Sequence, residues 1–212
     1  MSILKVVFVI IGTLIGAGFA SGQEIFSFFY IYGKNGIYGI IIMGILMGIL
    51  IYKSLKIIYK NDIYNYEDFL GLYIKNPKIK KTISIIVNIL LLISFYIMVA
   101  GFGAYFEQEI GINKIVGSII LDFLCVIIFF SNVKGVLKAS NFIVPFLIII
   151  IIFIGIQNIF EIRQIKIRQI KNNWLLSTMI YNSYNFILLI PVLISLKKQI
   201  TREKNIKYIS II

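Results

Sequence analysis

Two acidic residues, Glu24 and Asp122, fall in the middle of apolar runs, and they are the residues best suited to chemistry. A carboxylate at bilayer depth costs at least about 2.5 kcal/mol, so such a residue is by default a candidate for cation binding or proton transfer. The sequence contains no histidine, the commonest general base and metal ligand. Glu24 and Asp122 therefore predict ion or proton coupling, although Asp122 could instead have a structural role by bonding a neighbouring hydroxyl.

The sequence gives no support for enzymatic catalysis. No motif links the two mid-span carboxylates to each other, and no Gly-x-Ser-x-Gly elbow or phosphate-binding loop occurs. The single cysteine, Cys125, excludes an internal disulfide and a thiolate metal cluster. We expect a protein that is not an enzyme and holds no metal or organic cofactor, with Na⁺ or H⁺ as the coupling ion of a transport step.

Glu24 closes a stretch, residues 12–24, whose composition does not suit a lipid-facing helix. The stretch holds four glycines, a serine and a glutamine between two apolar runs. Each glycine costs about 1 kcal/mol of helix propensity relative to alanine, and an unwound backbone in a membrane must line a cavity or be buried in protein. The stretch predicts a discontinuous helix whose middle binds a substrate. The predicted binding residues are Gly16, Ala17, Gly18, Phe19, Ala20, Ser21 and Gly22.

Two alternatives remain open for this stretch. Its glycines could instead allow another helix to pack closely against an unbroken first helix. Glu24 could couple to an ion, or it could stabilise the start of the second half-helix, where a negative charge is favoured.

A second polar stretch interrupts the last apolar segment and predicts the other half of the binding site. It consists of Tyr181, Asn182, Ser183, Tyr184 and Asn185. One asparagine would fit simple hydrogen bonding between helices, worth about 0.6 kcal/mol per contact. A consecutive block of five favours a second irregular segment that lines a cavity.

Long apolar runs position these residues in a polytopic membrane protein. Of the 212 residues, 59% are hydrophobic, and several runs reach the roughly 20 residues that span a bilayer. Six transmembrane helices in a single all-α domain are predicted, at residues 4–31, 37–59, 83–106, 115–131, 142–160 and 174–196. Pro145 is predicted in the first turn of the fifth helix, the position where proline is tolerated. The polar residues 60–81 predict an interfacial loop with one short helix.

The charges predict orientation rather than nucleic-acid binding. The formal charge of +12 comes from lysines and arginines that cluster in the loops on one side of the predicted bundle and in both terminal regions. Such an excess marks the cytoplasmic side. We expect the plasma membrane, with both termini cytoplasmic, and no nucleic-acid partner. The lipid bilayer and a small-molecule solute are the expected partners.

Several motifs resemble the YkvI-type bacterial membrane proteins. The first is Gly-Thr-Leu-Ile-Gly-Ala-Gly-Phe-Ala-Ser-Gly-Gln-Glu-Ile at residues 12–25, and further matches occur at residues 99–108, 141–145 and 174–185. That family is similar to the amino acid–polyamine–organocation transporters, whose LeuT-like fold pairs two inverted five-helix repeats with discontinuous first and sixth helices. The resemblance implies breaks at residues 16–22 and 181–185, and transport of an amino acid-like solute driven by Na⁺ or H⁺.

The number of predicted helices departs from this pattern. The resemblance implies about ten helices, whereas this sequence supplies the first repeat and only the first helix of the second. A truncated or split transporter is therefore expected, with a separate chain that supplies the missing helices. The alternative is a membrane protein without transport activity, either an assembly partner or a degenerate remnant.

Overall fold

The computed structural model describes residues 3–16, 19, 22–161, 172–200 and 202–211, and no strand occurs among them. The described helices are α1 (Ile3–Leu14), α2 (Gln23–Phe28), α3 (Lys34–Lys60), α4 (Tyr66–Gly71), α5 (Pro77–Ile110), α6 (Lys114–Phe130), α7 (Asn132–Glu161), α8 (Trp174–Leu196) and α9 (Lys204–Ile211). Short 3₁₀ turns at Tyr30–Tyr32 and Lys197–Gln199 follow α2 and α8.

Asparagine side chains begin several of these helices. Asn65, Asn76 and Asn113 each accept a backbone N–H from the first turn of α4, α5 and α6, respectively. Such caps satisfy amides that have no partner within the helix. Gly111 ends α5 with a φ of 71°, a left-handed conformation that glycine adopts without steric cost.

In the part of the chain that the structure describes, four helices are long and apolar enough to cross a membrane: Lys34–Lys60, Pro77–Ile110, Asn132–Asn158 and Trp174–Gln199. The helix α6 is shorter, with 17 residues, and α1 has only 12. Twelve residues extend about 18 Å, well short of a hydrocarbon core of about 30 Å. Every predicted apolar segment contains helix, and the first one is divided between α1 and α2. The architecture fits an integral membrane protein.

The core lies where α8 packs against α3 and α1. Fully buried side chains from all three helices meet there, including Leu189, Leu193, Leu55, Ile58 and Val6. By contrast, α5, α6 and α7 present many large apolar side chains on their outer faces. Exposed apolar surface on this scale suits contact with lipid, which is as apolar as the side chains themselves.

Glycine allows α3 to approach its neighbours. A Cβ added to Gly39 would lie 2.6 Å from Thr178 Oγ1 on α8, and one added to Gly48 would lie 2.9 Å from the Ser210 carbonyl oxygen on α9. A Cβ at Gly44 would meet nothing within 4 Å. The close approach of helices to α3 therefore uses Gly39 and Gly48, while Gly44 faces open space.

Two predicted helix features are wrong. The helix α8 runs without a break from Trp174 to Leu196, so residues 181–185 are not an irregular segment. Its polar side chains are compatible with a helix because some bond to carbonyls one turn back: Asn185 Nδ2 donates to the Tyr181 carbonyl oxygen at 3.0 Å. The helix α7 begins at Asn132, ten residues before the predicted start, and contains Pro145 in its interior.

The early start of α7 has a packing explanation. Leu137 and Val144 are buried, and Val144 Cγ2 lies 3.1 Å from a Cβ added to Gly12 on α1. Packing against the protein thus stabilises the polar first part of α7 as a helix. The apolar run in the sequence begins later because it marks the part of the helix that suits lipid contact, not the first residue of the helix. The short helix predicted within residues 60–81 is confirmed as α4. Its interfacial location remains a prediction.

A buried lysine fixes the loop after α3 to the end of α8. The side chain of Lys197 is 7% exposed, and its Nζ donates to Asp62 Oδ1 at 2.8 Å. The same Nζ lies 3.7 Å from the centroid of the Tyr64 ring, which is a cation–π distance. Asp62 has a φ of 51°, so the loop turns sharply before Tyr64. The ammonium group of Lys197 therefore holds the loop after α3 against the C-terminal end of α8.

Replacing Gly39 by leucine is expected to destabilise the α3–α8 packing. The new side chain would overlap Thr178 and Phe29, and overpacking of this kind costs about 1–3 kcal/mol. Gly44→Leu is the matched control on the same helix: it enters open space and should be neutral or stabilising by up to about 1 kcal/mol. Thermal unfolding in lipid-free detergent measures both. Equal midpoints for the two variants would contradict the described packing.

Candidate functional site

The short helix α2 presents Glu24 to the interior of the protein. Gly22 precedes α2 with a φ of 76°, and its N–H donates to the Phe19 carbonyl oxygen at 3.0 Å. This left-handed conformation explains why glycine stands there. Glu24 lies in the first turn of α2, where a negative charge is favoured, and is half-buried. The helix α1 thus ends at Leu14, and the carboxylate of Glu24 lies in the first turn of α2.

The carboxylate of Glu24 contacts the polar face of α8. Tyr181 Oη donates a hydrogen bond to Glu24 Oε2 at 3.2 Å, across 157 positions of sequence. Ser177, one turn earlier on α8, donates to the Phe28 carbonyl oxygen at 3.0 Å. That carbonyl belongs to the end of α2, where intrahelical partners are missing. Glu24 and Tyr181, from the two polar stretches singled out in the sequence, therefore meet, and the second stretch lies within a continuous helix.

Aromatic rings pack around this contact. The ring of Tyr181 lies 5.1 Å from that of Phe28 and 5.1 Å from that of Phe29, measured between centroids. Tyr184 lies 5.4 Å from Tyr181 and 5.9 Å from Phe28. Ring pairs at such distances add about 0.5–1.5 kcal/mol beyond the area that they bury. The aromatic packing fixes the phenol of Tyr181 beside the carboxylate.

The side chains of the second polar stretch divide between two faces of α8. Tyr181, Asn182 and Asn185 are buried, Tyr184 is half-buried and Ser183 is exposed. Asn182 is only 4% exposed, and its Oδ1 has no hydrogen-bond partner among the described residues. An unpaired buried amide oxygen is costly, so it is a group to which a ligand, an ion or a water molecule could bind.

Outside α8, the other predicted site residues that the structure describes make no described contact with Glu24 or Tyr181. Gly16 and Phe19 are half-buried, and a Cβ on Gly16 would meet nothing within 4 Å. The predicted site residues Ala17, Gly18, Ala20 and Ser21 lie outside the described residues. Asp122 is exposed on α6, which packs against α5 and α7. No described contact joins Asp122 to Glu24, and a coupling role for each carboxylate remains a prediction.

An open groove of about 550 Å³ adjoins the contact between α2 and α8. Its lining includes Ser27, Phe28, Tyr32, Asn173, Ser177 and Ile180. Small-molecule sites commonly occupy about 300–1,000 Å³ and combine apolar walls with a few polar groups. Sequence reasoning missed Ser177 and Phe28. The helical spacing of Ser177 from Tyr181, four residues on the same face, was the available signal.

The long apolar helices and a polar contact in the interior define a membrane protein. The chain is homologous to the uncharacterized membrane protein YkvI of Bacillus subtilis (strain 168): it is 30% identical over 207 residues, which cover 96% of this chain and 59% of YkvI. It is also 28% identical to the uncharacterized protein YyaD of the same organism over 145 residues, and these residues cover 68% of this chain and 41% of YyaD.

The resemblance to YkvI-type proteins is thus confirmed at the level of sequence homology. The chain spans less than two thirds of the length of these relatives. No protein-family model and no solved structure matches it.

Glu24 and Tyr181 are expected to be energetically coupled through their hydrogen bond. Hydrogen bonds to charged groups contribute about 1.5–3 kcal/mol, so Glu24→Leu and Tyr181→Phe should together cost less than the sum of their separate effects by about that amount. Chemical or thermal unfolding of the two single variants and the double variant measures this coupling. Glu24→Leu combined with Tyr96→Phe, whose phenol is exposed on α5, is the control and should be additive. Additivity in both pairs would contradict the contact.

Proposed function

We propose that the chain forms the solute-binding part of a secondary transporter for a small amino acid-like compound. The contact between Glu24 and Tyr181 is the observation that carries this proposal. Placing a carboxylate in the interior of a membrane protein costs free energy, so such a group is rarely kept without a function. Intramembrane acids commonly mark ion or substrate paths. The groove beside them supports a site of suitable size for a small solute.

The chemistry of the groove suits a zwitterionic or polar organic solute. Hydroxyl and amide groups from Ser27, Asn173 and Ser177 can hydrogen-bond to a polar head, while Phe28 and Ile180 supply apolar walls. Glu24 and Asn182 do not line the groove but lie near it, on α2 and α8. The half-buried carboxylate of Glu24 can attract an ammonium group or a small cation. Asn182 Oδ1, a neutral acceptor with no hydrogen-bond partner among the described residues, is the kind of oxygen that Na⁺ coordination uses.

Coupling would follow from the two states of Glu24. As a carboxylate, Glu24 accepts the Tyr181 hydroxyl and favours the closed contact between α2 and α8. A proton or Na⁺ on the carboxylate weakens that acceptor and so favours separation of the two elements. A ligand can shift a conformational equilibrium only through such a difference in affinity between states. Glu24 is thus proposed as the coupling residue, and Asp122 as a secondary candidate.

The LeuT-like arrangement is part of this proposal. We assign the expected break of the first helix to the region that begins at Gly16, a residue that follows α1 and is not helical. The helix α8 takes the place of the sixth helix, with its polar face rather than a break turned to the site. Since the chain spans 59% of YkvI, transport by the whole assembly, including a separate chain that supplies further helices, is likewise proposed. So are the plasma membrane location and cytoplasmic termini, which the loop charges favour.

Uptake by proteoliposomes that contain the purified chain tests the function. A pool of labelled amino acids should accumulate when an inward Na⁺ or H⁺ gradient is applied, and the effective gradient identifies the coupling ion. Glu24→Gln removes the charge and should lower driven uptake at least about tenfold, the factor that corresponds to about 1.4 kcal/mol. Glu107→Gln, at an exposed position on α5, is the matched control and should transport normally.

Two results would contradict parts of the proposal. Accumulation no greater than in empty liposomes would exclude transport by this chain alone, leaving either transport with a separate chain or a membrane protein without transport activity. Normal uptake by Glu24→Gln would be compatible with a transporter but would contradict the proposed coupling role of Glu24.

A further inference from the structure

A surface groove away from the solute site runs between α3 and α9. Its wider part has a volume of about 690 Å³ and its narrower part about 330 Å³. The two parts are continuous, because Tyr52 and Lys207 line both. The groove follows α3, one of the helices of membrane-spanning length, toward its C-terminal end.

The wider part is an apolar trough. Gly44 and Gly48 form its floor on α3, since neither carries a side chain. Ile45 and Ile49 line it from α3, and Ile211 lines it from α9. From residue 44 to residue 52 the trough follows about 12 Å of helix axis, enough for a substantial part of an extended acyl chain. A narrow apolar trough of this length on a spanning helix suits a hydrocarbon chain.

The narrower part is basic. Lys56, Lys204 and Lys207 line it, and Lys56 Nζ lies 5.6 Å from the centroid of the Tyr52 ring. One acidic residue, Glu203, also lines it, but its Oε1 lies 3.9 Å from Lys60 Nζ, so that charge has a nearby counterion. The excess of positive charge attracts an anion, most strongly one held at a membrane surface.

We propose that this groove binds an anionic glycerophospholipid, with an acyl chain in the trough and the headgroup phosphate among the three lysines. The combination carries the assignment: a free phosphate would use the lysines but not the trough, and an apolar helix would use the trough but not the lysines. The C-terminal end of α3 lies on the side that the loop charges predict to be cytoplasmic, where anionic headgroups meet basic residues. A lipid in this groove would contact both α3 and α9.

Native mass spectrometry of the purified full chain tests this assignment. The probes are phosphatidylglycerol, phosphatidylcholine with the same acyl chains, and glycerol 3-phosphate. Phosphatidylglycerol should bind at least about tenfold more tightly than phosphatidylcholine, and glycerol 3-phosphate should not be retained. Lys56→Gln combined with Lys207→Gln should weaken phosphatidylglycerol binding by about 30-fold, since each lysine near an anionic surface contributes about fivefold. Lys78→Gln, an exposed lysine outside the groove, is the control and should bind normally.

A second variant tests the trough separately. Gly44→Phe fills the trough without a clash, because a Cβ there meets nothing within 4 Å, and it should weaken phosphatidylglycerol binding while the melting temperature is kept. Equal binding of the two lipids, full binding by the double lysine variant, or retention of glycerol 3-phosphate alone would overturn the assignment. So would a dimer mass that replaces the lipid adducts, which would indicate a second copy in the groove.

Discussion

The structure depends on giving one half-buried carboxylate a partner. Glu24 lies in the first turn of α2, and the Tyr181 hydroxyl at 3.2 Å supplies a hydrogen bond that the carboxylate would otherwise obtain from water. Burying a charge without a partner is costly, so this hydrogen bond supports the packing of α2 on α8. Ser177 supports the same junction by donating to the Phe28 carbonyl oxygen at the end of α2. The helix α8 therefore meets α2 with polar groups.

Packing of α3 and α1 against α8 keeps the polar face of α8 in position at the contact with α2. Gly39 brings α3 against Thr178, and the fully buried leucines at positions 189 and 193 lie farther along α8 in the core shared with α1 and α3. At its other end, α8 is held by the charge of Lys197 on the loop after α3. Helices α5, α6 and α7 surround this core with apolar side chains suited to lipid. Ser177, Thr178, Asn182 and Asn185 of α8 are buried, whereas many large apolar side chains of α5, α6 and α7 are exposed.

Residue types predicted which parts meet, but not how the backbone runs through them. The glycines of residues 12–22 and the block at 181–185 were both identified as site-forming, and Glu24 and Tyr181 do make contact. The predicted break in the last segment is wrong, because asparagine and threonine side chains can bond to carbonyls one turn back and leave the helix intact. The early start of α7 was missed because hydropathy marks lipid contact, whereas Leu137 and Val144 pack on protein. The spacing of Ser177 from Tyr181 puts both on one face of α8, but the partner of Ser177, the Phe28 carbonyl oxygen, is a tertiary contact that the sequence does not show.

Crosslinking in native membranes tests the central claim, the packing of α2 on the polar face of α8, most directly. With Cys125→Ser as background, Phe28→Cys and Ser177→Cys place one thiol on each of two residues that are joined by the 3.0 Å hydrogen bond from Ser177 Oγ to the Phe28 carbonyl oxygen. A short bifunctional thiol reagent should join them rapidly within one chain, as read by mass spectrometry of the linked peptides. Phe28→Cys with Asp122→Cys, on the outer helix α6, should remain unlinked. Absence of the first crosslink, or an equal yield for both pairs, would contradict the account.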